Sequence, residues 1–338
     1  MTLNEIAKKM CAQGKGVLAA DESTGTIAKR FKSINVKNEE KNRLIFRQTL
    51  FNADAMKDYI GGVILFDETI RQKTTIGPTI PELISKHGAV PGIKVDKGAK
   101  PLAGSSEETI TEGLDGLRER LKEYYDLGAR FTKWRAVYHI GEKYPSSQSI
   151  KSNAHALARY AALVQEAKMV PIVEPEVLME GSHNIEKCYQ VTTDVLNECY
   201  NELEIQNVDL EGTVLKPNMI LPGLECKDKS NSEEIAIKTL DCLKKNVPSA
   251  VPAIAFLSGG QSEIDSSRNL NEINKINDTK FLITFSYGRG LQASALKEFG
   301  KNQENIENIQ KAFNHRAKMN GLSSKGEWSQ NLEKEPAA

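Results

Sequence analysis

The chain has 338 residues, and its 45 Lys plus Arg balance 45 Asp plus Glu, so the formal net charge is zero. That balance argues against nucleic acid as the main partner, because duplex binding draws on a basic excess, although it leaves room for a local anion site. No apolar run reaches membrane-spanning length and 39% of residues are hydrophobic, so we expect no membrane insertion and one sizeable core.

The opening segment lacks the apolar stretch of a secretory signal. Thr2 and Glu5 stand at capping-box spacing and predict an amphipathic helix. Further on, β-rich apolar runs recur at 17–21, 62–66, 91–95, 131–138, 170–174, 213–216, 253–258 and 281–286. The intervals of about 30–45 residues are those of repeated strand–helix units. Between them, 39–56 fits a helix, and so do 153–168 and 183–203. Ser105 and Glu108 resemble a capping box ahead of Leu114, Leu117, Leu121 and Tyr124. Asn231 and Glu234 cap a helix running through Cys242, and 291–299 begins another. Eight strands alternating with helices predict an α/β fold with a parallel sheet, and eight is the number that closes a (β/α)8 TIM barrel. An open doubly wound sheet is the competing arrangement. No Gly/Pro/Ser-rich linker divides the chain, so residues 1–338 read as a single barrel domain, with a polar and loose tail from about 323. The five cysteines, at 11, 188, 199, 226 and 242, form no CxxC pair and suggest reduced thiols in a cytoplasmic setting.

A buried barrel strand should be almost continuously apolar, yet these strands finish in polar groups. They end in Asp21, Lys94 with Asp96, Lys133 with Arg135, Glu174 with Glu176, Lys216, Ser258-Gly259-Gly260, and Ser286 followed by Gly288-Arg289. One such residue is ordinarily a solvated strand end. Seven of eight strands sharing the pattern at the same end point to the C-terminal mouth of a barrel, where active sites are assembled. Residues i and i+2 share a face, so each charged pair projects together. Two anion cradles follow the last strands. Ser258-Gly259-Gly260 offers approachable backbone N–H groups, and Ser286 to Arg289 opens a helix beside a guanidinium.

A lysine is nucleophilic only when neutral, and at an unperturbed pKa near 10.4 only about one in 2,500 is neutral at pH 7. Burial and a neighbouring cation such as Lys133 would favour the neutral form of Lys216, and Glu174 or Glu176 could move protons. A phosphate-binding lysine without covalent chemistry is the alternative. The five histidines form no HExxH or Cys/His cluster. No Walker A or GxGxxG follows a candidate strand, so no metal, nucleotide or other cofactor is expected.

At this point longer stretches can be compared. Leu18 to Gly25, Gly61 to Phe66, Gly92 to Gly98, Lys133-Trp134-Arg135, Pro171 to Glu176, Leu215 to Met219, Phe256 to Gln261 and Thr284 to Arg289 resemble class I fructose-1,6-bisphosphate aldolase. The resemblance is ordered from about residue 14 to 320. It implies a cytoplasmic, metal-independent lyase of glycolysis and gluconeogenesis, usually a homotetramer, acting on a phosphorylated sugar. Under that resemblance Lys216 is the Schiff-base lysine and Glu174 the proton shuttle, with Glu176 and Lys133 assisting. Asp21 accepts the carbon-4 hydroxyl proton. Ser258, Gly259, Gly288 and Arg289 hold the ketose-side phosphate, with Gly260 and Ser286 in the same cradles. Ser23, Arg30, Lys94 and Arg135 serve the other phosphate or position substrate. Thr26 stands where many members have serine, and Gly290 where alanine is frequent.

Many eukaryotic members carry a terminal tyrosine that reaches the active site; here Tyr287 is the last tyrosine, so slow protonation of the enamine is expected. Relatives preferring fructose 1-phosphate or sedoheptulose bisphosphate share these motifs. Binding of actin or adhesin tails, known for such aldolases, is an added role that the resemblance allows.

Overall fold

The computed structural model describes residues 1–334. Eight parallel strands close into a barrel in chain order. They are β1 (Gly16–Ala20), β2 (Ile60–Leu65), β3 (Val90–Lys94), β4 (Phe131–Tyr138), β5 (Val170–Val177), β6 (Val214–Leu215), β7 (Ala253–Phe256) and β8 (Leu282–Tyr287). The seam between β8 and β1 pairs Ser286 with Val17 and Tyr287 with Leu18. All eight expected runs are strands, with shifts of a few residues at their ends.

Strand alternation decides what lies inside. Val17 and Ala19, Ile64, Val90, Phe131, Val170 and Ile172, Val214, Ala253 and Ala255 form the inner cluster. Leu18, Val63, Ile93, Trp134, Val173, Leu215, Ile254 and Phe285 pack outward under the helices. A helix at Leu3–Met10 closes the N-terminal end, its Ile6, Ala7 and Met10 joining the inner cluster. The expected capping box is present there, Thr2 taking the Glu5 N–H and Glu5 returning to the Thr2 N–H. Phe131 fills the barrel against Gly92, where a Cβ would lie 2.3 Å from the ring, so only glycine fits.

The helices at Ser147–Glu166, Ile185–Ile205, Ser232–Asn246 and Arg289–Lys301 fall where expected, and Asn231 accepts the Glu234 N–H at 2.9 Å. Residues 39–56 split into Glu40–Phe51 and Ala55–Asp58. Two readings need correction. Ser105 does accept the Glu108 N–H, at 3.3 Å, but it caps no helix. It lies in the loop of an antiparallel hairpin, Ala99–Pro101 with Thr109–Thr111, and the next helix starts only at Leu117. The apolar period from Leu117 onward belongs to that helix, and Leu114 lies ahead of it.

The segment from 323, expected to be loose, is docked as far as Lys334. Trp328 is buried, its backbone N–H donating to Asn271 Oδ1 at 2.9 Å and its indole to Glu333 Oε1 at 2.8 Å. Glu333 also meets Arg316 at 2.5 Å and His315 at 3.3 Å. Burial raises the Glu333 carboxyl, but the bonds from His315 and Arg316 dominate and bring it down to about 2. A depressed carboxylate contributes stability above its unfolded pKa and loses it as pH falls through the folded value. The docked segment will therefore loosen between about pH 4 and 2. Trp328 fluorescence should report this, and Glu333→Gln should abolish the transition while the barrel stays folded. An unchanged transition in that variant would remove Glu333 as its cause.

Candidate active site

The polar strand ends continue the inward rows. After Ala19 comes Asp21, after Phe131 come Lys133 and Arg135, after Ile172 come Glu174 and Glu176, and after Val214 comes Lys216. The register sets Lys94 opposite Lys133 and Arg135 opposite Glu174. These side chains line a cavity of about 540 Å³ at the C-terminal mouth, together with Ser23, Thr26, Arg30, Lys94, Ser258, Gly259, Ser286, Gly288 and Arg289. Every site residue expected from the sequence lines it except Gly260, which turns toward Met179; a Cβ there would lie 3.3 Å from the Met179 sulfur.

Two lysines and two carboxylates interleave at the base. Lys216 Nζ lies 3.0 Å from Glu174 Oε1, and Lys133 Nζ lies 3.3 Å from Glu174 Oε2 and 2.8 Å from Asp21 Oδ2. All four are buried or nearly so, with Lys216 only 4% exposed. Burial alone would raise the Asp21 carboxyl, but Lys133, Lys216 and Lys94 outweigh it and hold the group well below the carboxylate range. For Glu174 the same contest, won by Lys133, Lys216 and Arg135, also ends in a lowered pKa. Burial pulls Lys133 down, yet Asp21, Glu174 and Asp96 raise it above the ordinary lysine range, so it is a fixed cation. Ser286 Oγ is buried without a hydrogen-bond partner, and such atoms are rare unless something else is meant to satisfy them.

Around this base lie the outer groups. Lys94 leans onto Asp96, 2.7 Å from its carboxylate, and Arg135 pairs with Glu176. Gly259 and Gly260 have φ of 57° and 95°, the left-handed turn that glycine makes readily, so the loop after β7 can bend its N–H groups toward the mouth. Gly288 precedes the helix Arg289–Lys301, whose N-terminal end faces the cavity. The Arg289 guanidinium has no ion-pair or hydrogen-bond partner among the described residues. Gly290 is explained by contact: a Cβ would lie 3.1 Å from Ser258 Cβ and from Ser266 Oγ, so glycine lets the two cradles approach.

Sequence reasoning missed Glu22 and Lys29, which also line the cavity. Glu22 sits off the inward row, and besides Arg30 on the following helix its partners Arg47 and Gln292 come from helices further along the chain. No group of three or more His, Cys, Asp or Glu residues is placed to hold a metal ion among the described residues. Nor is any described helix long and apolar enough to cross a membrane.

Comparison with known proteins identifies the family. The profile of the family described as fructose-bisphosphate aldolase class-I matches residues 2–338. A cytosolic fructose-bisphosphate aldolase 4 of Arabidopsis thaliana is 54% identical over 314 residues, 93% of this chain and 80% of that protein. The fructose-bisphosphate aldolase of Schistosoma mansoni is 49% identical over 332 residues, 98% of this chain and 92% of that protein. The structure superposes on the Plasmodium falciparum fructose-bisphosphate aldolase, crystallised with TRAP and a small-molecule inhibitor. The TM-score is 0.95 and the identity 44%, covering 97% of this chain and 95% of that one. With likeness extending over nearly its whole length, in sequence and in barrel geometry alike, this chain belongs to the class I fructose-bisphosphate aldolase family.

Proposed function

We propose that the chain cleaves fructose 1,6-bisphosphate reversibly to dihydroxyacetone phosphate and glyceraldehyde 3-phosphate through a Schiff base on Lys216. The observation that carries this reading is Glu174, buried between Lys216 and Lys133 with one oxygen facing each. Lys216 must lose a proton before it can attack, and Glu174 Oε1 at 3.0 Å is in hydrogen-bond reach to accept it. The amine adds to the carbon-2 carbonyl, and the proton goes back to the carbinolamine hydroxyl, which leaves as water. The resulting iminium keeps the positive charge that Lys216 began with, so the ionic balance of the base is unchanged.

Cleavage of the carbon 3–carbon 4 bond sends its electron pair into the iminium. The carbon-4 hydroxyl proton goes to Asp21, and the aldehyde departs. Asp21 is a weak base because Lys133 stabilises its charge, so the driving force comes from the iminium as an electron sink. Lys133 stays protonated and keeps Asp21 and Glu174 ionised. The enamine is then protonated at carbon 3, and water releases dihydroxyacetone phosphate and the free lysine. Ser258, Gly259, Gly288 and Arg289 hold one phosphate. Ser23 caps the helix Thr24–Ser33, Thr26 lies in its first turn and Arg30 in its last; with Lys94 and Arg135 they serve the other phosphate or the sugar chain.

Borohydride reduction in the presence of dihydroxyacetone phosphate tests the reading. It should inactivate the enzyme and add one covalent mass to the peptide holding Lys216; a label on Lys94 or Lys133, or none, removes Lys216 as nucleophile. Arg289→Ala should weaken binding of phosphorylated substrate by about 10- to 150-fold, the worth of one charge-assisted contact. Unchanged affinity would take Arg289 out of the phosphate site.

A cytoplasmic location, supported by a relative named as cytosolic, is part of the same proposal, and so is a homotetramer, which rests on the family resemblance alone. A monomer in sedimentation would remove the oligomer. Adhesin-tail binding is proposed as an added role because the Plasmodium relative was crystallised with TRAP.

A further inference from the structure

We propose that Glu22 is a positioning residue for substrate binding, acting through Arg30; the proposal rests on the aldolase reading above. Asp21 continues the inward row of β1, and Glu22, at the edge of the cavity, reaches into the wedge between the barrel and three helices. Its side chain is 4% exposed. Glu22 Oε1 pairs with Arg30 Nη1 from the helix Thr24–Ser33. The same oxygen accepts Gln292 Nε2 at 3.1 Å, and that nitrogen also donates to the Ala19 carbonyl of β1 at 2.7 Å. Arg47, fully buried on the helix Glu40–Phe51, donates to the Glu22 carbonyl at 2.7 Å and lies 3.7 Å from Oε2. The carboxylate is therefore held from several directions, and Arg30 is the one partner that continues to the cavity.

The far side of the Arg30 guanidinium gives the anchor its purpose. Nη2 lies 3.7 Å from where a Cβ would stand on Gly288, so this edge sits beside the β8 cradle and lines the mouth. Glu22 takes one amino group and leaves the other presented to a bound phosphate. Two effects oppose each other. A carboxylate beside an anion site weakens it by neutralising the cation, whereas a guanidinium already oriented loses less freedom on binding. Here the Glu22 charge is shared with Arg47 and the Gln292 amide, which leaves less of it to neutralise Arg30, so orientation prevails.

The test uses the full chain and cleavage of fructose 1,6-bisphosphate. Glu22→Gln removes the charge, and Gln292→Leu releases Oε1 while keeping every charge, so a folding failure in one leaves the other. Each should raise KM about fivefold, a fraction of one charge-assisted contact, with kcat within about twofold of the parent. In an Arg30→Ala background neither should add a further change. A fall in kcat at constant KM would mean action through Asp21, and the same factor persisting without Arg30 would mean a scaffold role. Either result overturns the proposal, as does an unchanged KM in both variants. Borohydride trapping on the parent enzyme, run alongside, shows separately whether the Schiff-base reading itself has failed.

Discussion

Lys216→Met will abolish cleavage to the limit of detection and will leave no borohydride-trappable species, while the barrel remains folded. Methionine matches the length of the lysine stem and removes only the amine. The side chain is 4% exposed, and the swap conserves volume, so the wall of the cavity stays packed. Losing the ammonium leaves Glu174 with Lys133 at 3.3 Å, which prevents an unpaired buried carboxylate. The check is a cleavage assay beside a thermal melt. Residual turnover of even a few per cent in a folded variant would show that covalent catalysis by Lys216 is not the route.

Glu174→Gln will be the next most damaging change, lowering kcat by about 10²- to 10⁴-fold, the usual worth of a well-placed general acid–base group. The amide preserves shape and can still hydrogen bond, but it cannot take the proton from Lys216 or return it to the carbinolamine hydroxyl. Formation of the iminium should slow by the same factor as turnover. Rapid-quench borohydride trapping measures that step directly, and binding of inorganic phosphate should remain intact. Trapping at the parental rate with slow cleavage would move Glu174 from Schiff-base formation to a later step.

These two residues were legible in the sequence for a simple reason. Strand alternation is local, so the apolar row that fills the barrel predicts which following residues enter the mouth. Ile172 leads to Glu174 and Val214 to Lys216 without any knowledge of neighbouring strands. Asn231 was legible as a cap for the same reason, since its partner Glu234 is three residues away. Glu22 was not. Its meaning depends on Gln292, 270 residues further along, and on Arg47, which looks like any cation on an amphipathic helix. The docked segment after 323 failed similarly, because its polar composition suggested solvent while Glu333 and Trp328 were finding Arg316 and Asn271. The hairpin at Ala99–Pro101 and Thr109–Thr111 was hidden by Ser105 and Glu108, whose spacing suits a turn as well as a helix start.

The plugged lower end of the barrel has a consequence for traffic. With Ile6, Ala7 and Met10 seated beneath Phe131, the N-terminal end of the barrel is filled, and the cavity that Lys216 lines opens at the other end. Two fragments that share this mouth form a queue. On the proposed mechanism the ketone fragment stays covalently attached to Lys216 after cleavage, so it is last out, and the aldehyde must clear the threshold first. Run backwards, the ketone must enter before the aldehyde, and an aldehyde arriving early finds the cavity but no partner. Kinetic order, on this account, comes from the covalent bond to Lys216, while a helix of eight residues on the opposite side of the molecule from the chemistry closes the other end of the barrel.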